Sequence, residues 1–155
     1  MSESTLSKFN STVVSFVTDL KTIFGENDKD IMAMETMCDM VKINARLIIK
    51  AFQFYIVSNP EFVKHINEQN IDYFIQHDFD GLVDPSVNSD YSNKLINKFK
   101  QATREHRNDQ QTLDSIFNWW KVMIYYALLD DKKDPVAYIK TCCDMKHHSQ
   151  TVSKE

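Results

Sequence analysis

Leu6, Phe9, Val13, Phe16, Val17, Leu20, Ile23 and Phe24 recur at steps of three and four near the start of the chain. That spacing places them on one face and predicts a helix over Ser4–Phe24. Gly25, free to adopt positive φ, is a natural stop. Asp28 or Asp30 is placed to cap a second helix that turns Ile31, Met34, Cys38 and Val41 inward, so the first two helices form an antiparallel pair. "ARLIIKAFQFYIV" is apolar over much of its circumference and predicts a third helix from Asn44 to Val57, lying between neighbours. Asn59-Pro60 breaks it and begins a fourth, which holds Phe62, Val63 and Ile66. "NIDYFIQHDFDGL" predicts a short helix followed by irregular chain. The span 78–92, with Gly81, Pro85 and several Asp, Asn and Ser residues, predicts a loop.

Ser89 or Asp90 caps the next predicted helix, with Leu95, Phe99 and Ala102 inward and "HRNDQ" closing it. From Gln110 to Leu129 the pattern changes. Leu113, Ile116, Phe117, Trp120, Ile124, Ala127 and Leu128 form one stripe, and Trp119, Val122, Tyr126 and Leu129 form a second. A helix apolar on two sides is expected to pack on both, which makes this one the centre of the core. Asp134-Pro135 starts a last helix, with Val136, Ile139 and Cys143 inward; from Met145 onward, "KHHSQTVSKE" has the composition of a flexible polar tail. The expected fold is all-α: one compact bundle of six or seven helices over residues 1–145, built round an aromatic-rich central helix, with 146–155 as the tail.

Composition agrees with this and narrows the setting. A chain of 155 residues is most simply one domain, and two glycines and three prolines are too few for a sheet joined by tight turns. The segment Ile116–Leu129 is 14 residues long and is followed by "DDKKD", whereas a membrane-spanning helix needs about 20 apolar residues. No membrane span is expected, and "MSESTLSKFN" has no signal-peptide pattern. Cys38, Cys142 and Cys143 are an odd number with two adjacent, a poor disulfide framework, so a reducing, cytoplasmic compartment is expected. The net charge of −4 gives no reason for the whole surface to bind a polyanion.

Little in the chain carries catalytic chemistry. Cys142, Cys143, His147 and His148 are zinc-type ligands. Adjacent cysteines on a helix point about 100° apart, however, and no second pair lies at finger spacing, so no metal is expected. His65, His77 and His106 have no interpretable nucleophile partner, and Gly25 and Gly81 alone cannot form a phosphate-cradling loop. No catalytic residue and no cofactor is expected. Two features remain as candidate contacts. Lys94, Lys98, Lys100, Arg104 and Arg107 stand against Glu105 alone, and Lys100, Arg104 and Arg107 share a helical face that suits phosphates or an acidic partner. A solvated face is the reading preferred. The members of the Trp119-Trp120 pair point different ways, so Trp119 is a candidate contact for a partner protein while Trp120 is assigned to the core.

"KFNSTVVSFVTDLKTIF", "INEQNIDYFIQHDF" and "FNWWKVMIYYALL" follow one another in an order that resembles a small all-helical family of large nucleocytoplasmic DNA viruses, including algal and mimivirus-like giant viruses. The resemblance spans about residues 8 to 130. It implies a viral protein of the infected-host cytoplasm or the virion, and it brings no catalytic residues with it. The function expected is therefore a non-enzymatic protein–protein interaction module, virion-associated or an infection-stage accessory. The alternative is a nucleic-acid-associated accessory protein that uses the basic face. A protein partner is expected and nucleic acid is not favoured.

Overall fold

The computed structural model describes the backbone of residues 4–76 and 89–154, and the side chains within those spans except at positions 55, 75, 89–96 and 145–154. Every regular element among the described residues is helical. In chain order they are α1 (Thr5–Phe24), α2 (Lys29–Met40), α3 (Leu47–Phe52) running into a π-helical turn (Gln53–Val57), α4 (Pro60–Asn67), α5 (Ile71–Gln76), α6 (Ser89–Glu105), α7 (Gln110–Asp130) and α8 (Pro135–Lys154). The segment expected to be a loop, 78–92, lies outside the described residues up to 88, and α6 begins at Ser89.

Local chemistry sets most of the boundaries. Ser4 accepts a hydrogen bond from the Ser7 amide at the start of α1, and Gly25 at φ +96° closes the helix with its N–H on the Lys21 carbonyl. Asp28 caps α2 through the Asp30 and Ile31 amides, and Asn59 caps α4 with Pro60 in its first turn. Asp109 caps α7 by accepting from the Thr112 amide and hydroxyl, and Asp134 accepts from the Val136 and Ala137 amides at the start of α8. Side chains thus satisfy amide groups that a helix start would otherwise leave orphaned.

One element departs from the local pattern. Asn44–Val57 is expected to be a single regular helix, but the stretch widens into a π-turn after Phe52. At that step Gln53 Nε2 donates to the Ala127 carbonyl (3.0 Å) and to Asp130 (3.1 Å) at the end of α7, where Arg46 also pairs with Asp130. A side chain held by a neighbouring helix accompanies the break in the i→i−4 ladder, as is common at such bulges.

Helix α1 lies antiparallel along α7, since its last turn shares a cleft with the first turn of α7. Trp120 is the centre of the core. Its ring meets Phe16 of α1 (6.1 Å), Phe52 of α3 (5.6 Å), Phe62 of α4 (5.6 Å) and Phe99 of α6 (4.8 Å). Four helices therefore converge on one side chain, which is fully buried. The first stripe of α7 is buried throughout, as expected from its spacing.

Two expectations are corrected. The second stripe of α7 does not sink into a second layer: Trp119 and Tyr126 are half-buried, and Val122 and Leu129 are exposed. In α8 the inward register is one step earlier than Val136 and Cys143 would make it. Pro135 and Cys142 are buried and Tyr138 and Ile139 pack on the core, while Val136 is 74% exposed. The Tyr138 hydroxyl donates to the Val57 carbonyl and fixes that register. The backbone of α8 continues as helix through Lys154, beyond Met145, where a tail is expected. Among the described residues no helix is long and apolar enough to cross a membrane.

Candidate functional site

Where their side chains are described, the candidate cations of the Lys94–Arg107 stretch fall in different surroundings. Lys98 is only 3% exposed. Its ammonium lies 2.6 Å from Asp28 Oδ2, 3.8 Å from Asp30 Oδ2 and 3.0 Å from Gln101 Oε1, and 4.2 Å above the Phe24 ring. It therefore bridges α6 to the start of α2, and its charge is consumed inside the fold rather than offered to a phosphate. Burial raises the pKa of Asp28. The hydrogen bond and charge of Lys98, with the Ile31 and Asp30 amides, outweigh that and leave it below the ordinary carboxylate value.

Arg104 is exposed on α6 and Lys100 is half-buried one turn before it. Arg107 stands beyond the end of the helix, with Nη2 3.5 Å from Asp72 of α5. The Lys94 side chain lies outside the described residues. What the structure brings together is a pair, Lys100 and Arg104, flanked by an arginine already facing a carboxylate.

Trp119 is placed differently. Its indole N–H donates to Asp19 of α1 across 100 residues of chain. Beside them a cleft of about 240 Å³ opens between the two helices. Phe16, Leu20, Ile23 and Ile116 supply its apolar wall, and Asp19, Thr22, Gln111, Thr112 and Ser115 its polar rim. Among the described residues no cation pairs with Asp19, and no ring stacks on Trp119. Sequence spacing cannot find Asp19, because nothing local links it to a tryptophan so far along the chain.

Further along α7, Val122, Tyr125 and Leu129 are 38%, 44% and 37% exposed. They lie at i, i+3 and i+7, so they form one outward stripe on successive turns. Tyr125 belongs to neither of the two stripes expected from the sequence pattern.

Several other titratable groups are occupied structurally. Burial, with the nearby Asp39 and Glu35 charges, pushes the Cys38 thiol up to about 11. Burial likewise pushes Tyr73, which stacks on His65 at 3.8 Å, up to about 12. Cys142 is buried near Tyr138, whereas Cys143 accepts from Asn67 Nδ2 at 3.6 Å, so the adjacent cysteines face different surroundings. The side chains of His147 and His148, and all of His77, lie outside the described residues. Comparison with known proteins finds no matching family, no matching curated protein and no matching solved structure.

Proposed function

We propose that this chain is a non-enzymatic protein–protein interaction module that docks a partner on the outward face of α7. The observation that supports this reading is the stripe Val122, Tyr125 and Leu129, an exposed apolar strip on the longest helix among the described residues. Single exposed apolar residues are ordinary on a protein surface, but three on consecutive turns form the kind of patch that interfaces use. Tyrosine adds a large amphipathic ring at small entropic cost. The helix beneath is held rigid by Trp120 and its neighbours, so the stripe is presented pre-ordered. The resemblance to giant-virus proteins supports a role in infection, in the host cytoplasm or in the virion.

The alternative, an accessory protein gripping nucleic acid by the α6 face, has less support. Lys98 is buried on Asp28 and Arg107 faces Asp72. Co-purification from the native source separates the two. Tyr125→Glu with Leu129→Glu should reduce recovery of a stoichiometric protein partner at least tenfold and leave the melting temperature within a few degrees. Unchanged recovery with these charges in place would reject the α7 face.

A further inference from the structure

We propose that the cleft between α1 and α7 receives an arginine side chain of the partner polypeptide, with its guanidinium against the Trp119 indole and the Asp19 carboxylate. The inference rests on the interaction-module reading and adds the chemistry that the partner must bring. It stands on the geometry of the cleft and on its charge.

The size comes first. At about 240 Å³ the cleft is smaller than the roughly 300–1,000 Å³ of small-molecule sites, and it is open rather than enclosed. It suits one long side chain. Its apolar wall can cover an aliphatic stem, as the stems of basic residues require. At the rim, Asp19 Oδ2 accepts from the indole, and Oδ1 has no partner among the described residues. A carboxylate joined to an unstacked indole is matched by a cation able to do two things together: donate to an oxygen and lie flat on a ring. Guanidinium does both, and it is more weakly hydrated than ammonium.

The helix ends agree with a cationic occupant. Thr22 and Ile23 belong to the last turn of α1, the negative end of its dipole. The positive end of α7 is met by the Asp109 carboxylate, which takes both the amide and the hydroxyl of Thr112. The polar rim of the cleft therefore favours positive charge.

Magnitudes decide between a free cation and a polypeptide. At an exposed site, a cation–π contact and an ion pair are each worth about fivefold in affinity. A lone arginine would thus bind too weakly to matter, and the contact becomes useful only as part of a larger docked surface. Such a surface is at hand, because Trp119 and Val122 lie on adjacent turns of α7. A segment running along the outward stripe can place an arginine into the cleft at its end.

The test is a titration of the full-length protein, with its tryptophan indoles labelled with ¹⁵N, using the capped peptide Ac-Ala-Leu-Arg-Leu-Ala-NH2 and its citrulline counterpart. Trp119→Phe assigns the two indole resonances. The Trp119 resonance should move saturably with the arginine peptide, in the millimolar range, while that of Trp120 stays fixed. Citrulline, which has the same shape without the charge, should bind at least tenfold more weakly. Asp19→Asn keeps an acceptor for the indole N–H and removes only the ion pair, so it should cost about fivefold, with an unchanged melting temperature. Equal binding of the two peptides, no loss in Asp19→Asn, or no saturable shift overturns the proposal. If the titration fails while partner recovery still depends on Tyr125 and Leu129, the cleft inference falls and the α7 reading stands. If the titration succeeds while the Tyr125 and Leu129 charges leave recovery unchanged, the cleft inference stands and the stripe is rejected.

Discussion

Trp119 and Trp120 are neighbours in sequence with opposite surroundings. Trp120 is buried among Phe16, Phe52, Phe62 and Phe99, and its indole N–H finds no acceptor among the described residues. Trp119 is half-buried and spends its N–H on a surface carboxylate. One step along a helix turns a side chain by about 100°, and here that carries it from the junction of four helices to the rim of a cleft. The ring area that Trp120 buries is worth more than one hydrogen bond, whose loss costs about 1–3 kcal/mol.

The sharpest way to break this contrast is truncation. Trp120→Ala should destabilise the fold by about 3–5 kcal/mol, as large-to-small core substitutions do. Trp119→Ala should cost about 1 kcal/mol or less, since it removes one hydrogen bond and half-exposed area. Urea unfolding of both variants measures the difference. Equal losses would mean that the α1–α7 cleft is part of the core rather than surface.

Two cations on α6 offer the same contrast at smaller scale. Lys98 is buried on Asp28, and Arg104 points to solvent. Lys98→Ala should cost about 2–3 kcal/mol, somewhat below a fully buried pair because Asp28 keeps part of its hydration. Arg104→Ala should stay within about 0.5 kcal/mol. The pairing also has a pH signature. Asp28 titrates below its ordinary 3.8, so its contribution is present above that value and is lost as the pH falls below it. Stability should therefore decline below about pH 4, and Asp28→Asn should flatten part of that decline. Asp109 and Asp114 are shifted the same way by their hydrogen bonds and add to the same limb. An identical acid limb in Asp28→Asn would show that Lys98 does not hold this carboxylate.

These contrasts show what the chain order reveals and what it hides. α1 was legible because Ser4, an eight-residue apolar face and Gly25 all agree. So was the buried stripe of α7, whose period is unbroken from Leu113 to Leu128. Lys98 was hidden by its charge, although its position gives it away. It sits three residues after Leu95, one before Phe99 and four before Ala102, on the inward stripe of the predicted helix, so its cation needed a buried partner. The α8 register was misread because Val136 looks like an anchor; burying Pro135 and bonding Tyr138 to Val57 decided it instead. The π-turn and the Asp19–Trp119 contact had no local signal. Each depends on a partner more than seventy residues away.

The smallest effect expected concerns nucleic-acid binding by the cations of α6 and its C-terminal end. If Lys100, Arg104 and Arg107 gripped a duplex, the log–log salt dependence would have a slope of about −0.9 per phosphate, or about −2.7 for three contacts. Arg107 must first leave Asp72, and Lys98 cannot join without uncovering Asp28. On a chain of net charge −4 the acidic remainder repels an approaching polyanion, against the pull of a few cations on α6. The expected result at physiological salt is no DNA or RNA binding tighter than about millimolar, and no change when Lys100, Arg104 and Arg107 are reversed to glutamate. Fluorescence anisotropy with short labelled duplexes measures this directly. Micromolar binding that weakens with salt and vanishes in the triple reversal would move the functional surface from α7 to α6.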